Sequence, residues 1–319
     1  MKRCLVGSEM CIRDSYYNDA GRMDQWQKTL GRMLPSLKLV TADSPDADKA
    51  DVLMTWNPPN GLIADHHNLK GVISLGQGVD HVLKGKTFPP HLKLARLVDP
   101  FMADSMAEWV LLAILEKHRE RDAYRDLEKR QEWVQFEQRL AGDYCVAVMG
   151  LGAIGSVVVQ KATMMGFRTI GWSRTAKTLS GIDARHGDDG YIACLGEADY
   201  LVSILPLTPE TTDLYDAGTF ARMKPGAVFI NSGRGLQVVE DDLIAAIDNG
   251  MISAAVLDVT RTEPLPGGHP LWDHPGVTIW PHVSAQTSEI SAAPQVVEAI
   301  KAIRAGREPE NNVDISRGY

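Results

Sequence analysis

Short apolar runs alternate with longer amphipathic stretches along most of the chain. The runs have the length of buried strands, and the longer stretches repeat apolar residues at helical spacing. Predicted strands cover residues 37–40, 51–55, 71–74, 94–97, 145–149, 168–172, 200–205, 227–230, 254–259 and 277–280. Predicted helices cover residues 21–34, 104–116, 119–138, 156–165 and 286–305. Because strands that alternate with helices form parallel sheets, the pattern predicts an α/β fold.

A glycine-rich turn with the spacing G-x-G-x-x-G follows the strand predicted at residues 145–149. The first glycine makes the turn, the second lets the backbone approach a phosphate, and the third lets the helix pack on the strand. The spacing alone is common, but its place between a strand and a helix favours a dinucleotide site over a structural turn. The predicted cofactor contacts here are Gly150, Gly152, Ala153, Ile154 and Gly155.

The end of the next predicted strand indicates which nicotinamide cofactor binds. NAD-binding folds place an acidic residue about 20 positions after the glycines, where it bonds the ribose 2′-OH. This chain has Ser173, Arg174 and Thr175 there, with no carboxylate nearby. A planar guanidinium suits a 2′-phosphate, and the two hydroxyls add donors. We therefore expect a preference for NADPH, with NADH possible; the alternative is a surface loop whose basic residues bind nothing.

Composition narrows the class of protein. The chain has 319 residues, which favours two domains, and 44% of them are hydrophobic. A net charge of −8 argues against a nucleic-acid or anionic-membrane partner. The longest apolar runs are too short to predict a transmembrane helix. Four scattered cysteines show no zinc spacing, so we predict no metal site and a cytoplasmic location.

Two segments are difficult to assign. Residues 1–15 have a basic start with only short apolar pieces, which is not the pattern of a signal peptide, and no element is predicted there. Residues 119–138 are highly charged with spaced aromatic residues. A helix with a solvated face is the simpler prediction for them, and packing against a second subunit is the alternative.

Loop segments with polar and charged residues follow several predicted strands. They cover residues 206–209, 231–235, 258–264 and 281–284. Because the carboxyl ends of parallel strands meet at one edge of a sheet, these segments are expected near one another. Taken singly, the arginine, glutamate and histidine within them would be surface charges or a structural histidine.

Five motifs, the glycine turn and one at each of these four segments, occur in the order found in the D-2-hydroxyacid dehydrogenases, and nearly the whole chain beyond residue 16 resembles that family. They read G-L-G-A-I-G, L-P-L-T-P-E-T, N-S-G-R-G, L-D-V-T-R-T-E-P-L and P-H-V-S-A. The segments W-N-P-P, L-G-Q-G-V-D, V-V-E-D-D-L and S-R-G-Y are similar to those of its glyoxylate/hydroxypyruvate reductase subgroup.

The resemblance implies two Rossmann-like or flavodoxin-like domains with parallel sheets. A cofactor domain, residues 100–285, would be inserted in a substrate domain made of residues 1–99 and 286–319.

The resemblance also implies an Arg–Glu–His catalytic set, carried by Arg234, Glu263 and His282. A 2-keto acid has a carboxylate to anchor and a ketone oxygen that gains charge as hydride arrives. Arg234 can hold the carboxylate and polarise the ketone with its forked donors. His282 can give a proton to that oxygen, while Glu263 orients the imidazole and favours its charged form.

Further contacts follow from the same matching. The predicted substrate contacts are Trp56, Leu75, Gly76, Gln77, Arg234 and His282. The remaining predicted cofactor contacts are Pro206, Thr208, Ser232, Gly233 and Asp258, with Asp258 on the nicotinamide amide. Ser284-Ala285 departs from the glycine-serine that often follows the family's histidine. The other histidines, including His66 and His67, are expected to be exposed.

These observations together predict an NADPH-dependent reductase of small 2-keto acids, converting glyoxylate to glycolate and hydroxypyruvate to D-glycerate. The family suggests a homodimer. One alternative is an NAD-dependent D-2-hydroxyacid dehydrogenase acting on another substrate. A second is an NAD(H)-sensing binding protein that resembles the transcriptional corepressors of this fold. A short-chain dehydrogenase is disfavoured because no Tyr-x-x-x-Lys pair follows the glycine turn.

Overall fold

A computed structural model of the chain describes residues 4–5, 9–13, 20–41, 44–83, 85 and 87–315. The chain divides into two compact units, one made of residues 1–101 and 286–319 and the other of residues 102–285. Each unit contains one sheet. The sheet of the second unit is parallel throughout, and that of the first unit is parallel except for one edge pair. The predicted α/β class is therefore confirmed.

The first unit holds a six-stranded sheet in the order β1-β3-β2-β4-β5-β6, in which only the β1–β3 pair is antiparallel. Its strands are β1 Cys4–Leu5, β2 Glu9–Arg13, β3 Lys38–Thr41, β4 Val52–Thr55, β5 Gly71–Ser74 and β6 Lys93–Ala95. Its first helices are α1 Ala20–Met33, α2 Leu62–Asp65 and α3 Asp80–Leu83. Strands β1 and β2 both lie in the segment where no element was predicted. Every residue of β4 and β5 is buried, which explains why both are continuous apolar runs.

The second unit holds a seven-stranded parallel sheet in the order β13-β12-β11-β10-β7-β8-β9. Its strands are β7 Cys145–Met149, β8 Arg168–Ser173, β9 Asp183–His186, β10 Tyr200–Ser203, β11 Ala227–Asn231, β12 Ile252–Leu257 and β13 Val277–Ile279. The helices that follow in the chain are α4 Pro100–His118, α5 Arg121–Arg130, α6 Ala153–Met164, α7 Gly187–Glu197, α8 Ala217–Phe220 and α9 Glu240–Asp248. A last helix, α10 Glu289–Arg304, belongs to the first unit.

Alternate side chains of β7 enter two different apolar cores, one on each face of the sheet. Val146 and Val148 lie in one core, whereas Ala147 and Met149 lie in the other. The strand order reverses between β7 and β10. In sheets of this kind ligands bind at such a reversal, beyond the carboxyl ends of the strands.

The helix predicted at residues 119–138 is wrong beyond Arg130. Gln131 adopts a left-handed conformation with φ 57°, and the N–H of Glu132 donates to Leu127 O at 2.9 Å. A left-handed glycine commonly closes the last turn of a helix in this way. Here Gln131 takes that position, so the helix ends without a glycine. Residues 132–140 then run without helix or strand, and their side chains are all exposed.

The expectation that the other histidines are exposed is also wrong for His118, which is buried, and the side chains of four more are only partly exposed: His66, His81, His269 and His274. His118 is 4% exposed, and its Nδ1 lies 3.1 Å from the hydroxyl of Tyr200. Burial lowers the pKa of His118 below its usual range. The imidazole of His81 stacks on the ring of Trp56 with 3.9 Å between centroids.

Within the described part of the chain, no helix combines the length and apolar character needed to cross a bilayer. No group of three or more His, Cys, Asp and Glu side chains in the same part could hold a metal ion.

Candidate active site

The glycine turn joins β7 to α6 by close backbone contacts. Gly150 has φ +111°, a conformation that other residues rarely adopt. A Cβ atom on Gly155 would lie 1.9 Å from the carbonyl oxygen of Gly150, so only glycine lets the helix approach this turn. Two of the three glycines are therefore explained by the protein's own geometry.

Gly152 is different, because nothing in the protein requires a glycine at this position. Its φ is −81°, and a Cβ atom there would meet no atom within 4 Å. The position caps α6, whose N-terminus carries partial positive charge from unpaired N–H groups. Open space in front of a helix N-terminus is what a pyrophosphate needs, so this turn fits a dinucleotide.

The segment after β8 lies beside this turn. The ammonium of Lys177 donates to the carbonyl of Leu151 at 2.5 Å, which links the basic segment to the glycine turn. The hydroxyl of buried Ser173 donates to the carbonyl of Thr175 at 2.8 Å. Arg174 is exposed. The predicted contact of Arg174 with a phosphate on the ribose stays a prediction.

The segment after β10 carries the predicted cofactor contacts Pro206 and Thr208. The backbone N–H of Thr208 donates to the hydroxyl of Thr211 at 2.8 Å, and this capping arrangement shapes the short turn Pro209–Thr211. Pro206 is exposed and Thr208 is buried. Both lie beyond the carboxyl end of a strand next to β7.

Arg234 follows β11 in a turn built on Asn231. The N–H of Gly233 donates to Asn231 Oδ1 at 3.0 Å, and Asn231 Nδ2 donates to the carbonyl of Arg234 at 3.2 Å. The guanidinium donates from Nη1 to the Gly233 carbonyl at 2.8 Å. Ser232 is buried in the same turn. The direction of the Arg234 side chain is thus set by its own loop.

Gln237 is a buried residue of this region that sequence reasoning missed. Its Oε1 accepts from the N–H of Arg234 at 3.1 Å, and its Nε2 donates to the carbonyls of Leu205 and Pro206 at 3.1 and 3.0 Å. One side chain therefore joins the loops after β10 and β11. Only its i, i+3 spacing from Arg234, typical of a capping box, marks it in the sequence.

Glu263 and His282 are in direct contact. His282 Nδ1 lies 2.8 Å from Glu263 Oε2, and the other oxygen of Glu263 accepts from the N–H of Thr260 at 3.1 Å. Their side chains are 23% and 24% exposed, so the pair is held yet reachable from solvent. A Cβ atom on Gly235 would lie 1.9 Å from Thr260 O, which shows how closely the Arg234 loop approaches this one.

Asp258 and Ser284 support the loop that carries His282. The carboxylate of Asp258, which is 1% exposed, accepts from the N–H of Val283 at 2.8 Å and from the N–H and hydroxyl of Ser284. The Asp258 carbonyl accepts from the N–H of His282 at 2.8 Å. Sequence reasoning noted Ser284 only as a departure from the family pattern. The predicted contact of Asp258 with a nicotinamide amide stays a prediction.

The predicted substrate contacts at residues 75–77 and Trp56 lie in the first unit. A Cβ atom on Gly76 would lie 2.0 Å from Trp56 Cζ3, so the glycine packs flat against the indole ring. The hydroxyl of Thr287 donates to the carbonyl of Leu75. The structure thus brings Trp56 and Gly76 together, and their contact with a substrate stays a prediction.

The glycine turn and the polar strand ends of a parallel sheet define the class of protein as a nicotinamide-dependent oxidoreductase. The family described as D-isomer specific 2-hydroxyacid dehydrogenase, NAD binding domain, matches residues 111–284. The chain belongs to this family, and the predicted resemblance is confirmed.

Named relatives make the comparison more specific. The chain is 37% identical over 309 residues to glyoxylate/hydroxypyruvate reductase A of Serratia proteamaculans (strain 568), covering 95% of this chain and 99% of the relative. It is similar, with a TM-score of 0.90 and 36% identity, to a D-isomer specific 2-hydroxyacid dehydrogenase from Xanthobacter autotrophicus Py2 solved with NADPH and MES, covering 98% and 100% of the two chains. An NADPH-dependent glyoxylate/hydroxypyruvate reductase from Sinorhizobium meliloti, solved with NADP and sulfate, has a TM-score of 0.88 and 32% identity, covering 98% and 99%.

Proposed function

We propose that the protein reduces small 2-keto acids with NADPH, taking glyoxylate to glycolate and hydroxypyruvate to D-glycerate. The observation that carries the proposal is the 2.8 Å contact between His282 and Glu263, at the same sheet edge as the glycine turn and Arg234. A carboxylate-held imidazole beside an arginine supplies the proton and the anion anchor that such a reduction needs. The names of the relatives agree with this substrate class.

Each of the three side chains has a separate task in this proposal. Arg234 binds the substrate carboxylate through two parallel hydrogen bonds and polarises the ketone oxygen. His282 gives the proton on Nε2 to that oxygen, while its Nδ1 proton stays bonded to Glu263. Glu263 fixes the ring orientation and stabilises the imidazolium. NADPH, when bound, supplies the hydride.

The NADPH preference rests on the segment after β8. Arg174 is exposed, Lys177 of the same segment bonds the glycine turn, and the chain has no carboxylate at this strand end for a ribose 2′-OH. A charge-assisted hydrogen bond to the 2′-phosphate favours NADPH over NADH in kcat/KM by about 10- to 100-fold.

Steady-state assays with glyoxylate, hydroxypyruvate, pyruvate and phosphohydroxypyruvate, each with NADPH and NADH, test the proposal. We expect turnover of the first two keto acids with NADPH. Arg174→Ala should raise the KM for NADPH and leave the KM for NADH unchanged, because NADH has no 2′-phosphate for Arg174 to bind. Turnover of none of the four acids would contradict the proposed reaction, and an equal effect of Arg174→Ala on both cofactors would contradict the cofactor assignment.

We further propose that the protein is a homodimer that uses the segment of residues 131–140. All ten side chains of this segment are exposed, and Trp133 is 95% exposed. Leu140 in the same segment and Leu112 on α4 are also exposed. Several large exposed apolar side chains within one segment, here Trp133, Val134, Phe136 and Leu140, are typical of a surface that a second protein covers.

Light scattering on the purified protein tests the dimer. We expect a mass twice the 35.0 kDa of one chain, and Trp133→Asp should shift it toward one chain because a buried charge destabilises an apolar interface. Met164→Asp, at an exposed apolar residue of α6 outside this segment, is the matched control for added charge. A single-chain mass for the unaltered protein would rule the dimer out.

We infer a cytoplasmic location from the thiols. Cys145 and Cys194 are both free and buried, and burial raises the pKa of their thiols to about 11 and about 12. Reduced cysteines of this kind are typical of a reducing compartment.

A further inference from the structure

His282 has a backbone conformation that side-chain-bearing residues rarely adopt. Its φ is +55°, in the left-handed region. Neither glycine nor asparagine, the usual residues there, stands at this position. Such a conformation persists only when surrounding contacts hold it, and it is concentrated at functional sites. The contacts that hold it here therefore also hold the imidazole.

Those contacts converge on one residue of another strand end. Asp258 binds three consecutive residues: its carbonyl accepts from His282 N at 2.8 Å, and its carboxylate accepts from Val283 N at 2.8 Å and from Ser284 N at 3.1 and 3.2 Å. The hydroxyl of Ser284 makes a further short contact to Asp258 Oδ2. Asp258 and Ser284 are both buried.

The hydroxyl of Ser284 matters because it completes the set of donors around a buried carboxylate. A buried carboxylate is stable only when hydrogen bonds replace the water it has lost. Val283 and Ser284 supply two backbone donors, and Ser284 adds the one side-chain donor that a glycine or alanine lacks. Loss of this donor weakens the attachment of the residue pair that directly follows His282.

We propose that Asp258 and Ser284 form a clamp that holds His282 in the conformation needed for proton donation, and that Ser284 is a positioning residue for this step. The inference rests on the proposed function, since it assigns Ser284 to the proton transfer made by His282. It predicts that the hydroxyl affects proton donation by His282 even when NADPH is saturating, apart from any change at the nicotinamide contact predicted for Asp258.

Kinetics of three serine variants test the clamp. Ser284→Ala should lower kcat, measured at saturating NADPH, by about 10- to 100-fold, the effect of one hydrogen bond to a charged group. The solvent deuterium isotope effect on kcat should rise, because proton donation becomes slower relative to other steps. Ser284→Thr keeps the hydroxyl and should restore most of the rate. Ser253→Ala, which removes an exposed hydroxyl from β12 upstream of Asp258, is the matched control.

A second measurement does not depend on activity. The Nδ1 proton of His282, bonded to Glu263, should give a low-field proton resonance that is absent in His282→Gln. Ser284→Ala should broaden or remove this signal, and Ser253→Ala should leave it unchanged. A wild-type signal and a wild-type kcat in Ser284→Ala would overturn the clamp. If the wild-type protein turns over no keto acid, the proposed function fails, and the resonance still decides whether Ser284 positions His282.

Discussion

Replacing Arg234 with glutamine is expected to lower kcat/KM for glyoxylate by roughly 10²- to 10⁴-fold, because two charge-assisted hydrogen bonds of about 1.5–3 kcal/mol each are lost. The KM for the keto acid should rise, since the substrate carboxylate loses its anchor. The dissociation constant of NADPH should stay close to that of the wild type. Steady-state kinetics and fluorescence titration with NADPH measure the two effects separately.

Two further variants test whether kcat/KM depends on the paired guanidinium donors of Arg234 or only on its positive charge. Arg234→Lys keeps the charge but cannot make two parallel bonds to a carboxylate, so most of the loss should remain. Arg222→Gln removes an exposed arginine that precedes β11, at the opposite edge of the sheet, and should have no effect. A change of less than tenfold in Arg234→Gln would exclude Arg234 as the anchor.

Replacing His282 with glutamine should lower kcat for keto acid reduction by about 10²- to 10⁴-fold, the usual contribution of a general acid. The KM for NADPH should stay close to that of the wild type, because the imidazole acts on the keto oxygen. Steady-state kinetics of both proteins at saturating NADPH measure the loss.

The chain offers a matched control for this histidine. His274 Nε2 lies 3.2 Å from Asp248 Oδ1, a similar pair that precedes β13, at the amino end of that strand. His274→Gln should leave kcat unchanged. If both variants lose activity equally, the effect of His282 is structural, and the proposed acid must be another group.

Much of the fold was predictable because strands buried on both faces are continuous apolar runs. β5 and β7 lie at the predicted residues, and most other predicted strands differ from the observed ones by one or two residues at an end. The strand β9 is polar, at the edge of the sheet, and only partly buried, so no apolar run marks it. The early end of α5 depends on the left-handed Gln131, which residue type does not predict.

The candidate site was predictable where chemistry follows directly after a strand. Glu263 and His282 lie 19 residues apart in sequence. Glu263 follows β12 and His282 follows β13, and because these strands are parallel neighbours, the two residues come together. Gln237 and Ser284 act through groups 32 and 26 residues away, a carbonyl and a carboxylate, and no local pattern identifies such partners.

The first unit is built from two chain segments that the second unit separates, and this limits the order in which the chain can fold during synthesis. Helix α10 fills the core of that unit with buried side chains such as Ala292, Val296 and Ile300. Residues 102–285 must be translated before α10, which takes roughly 10–40 s at about 5–20 residues per second. During this time the core lacks the side chains that α10 contributes. The second unit is continuous and can fold first. The beginning of the chain must therefore wait, with apolar surface exposed to chaperones and proteases, for its own C-terminal helix.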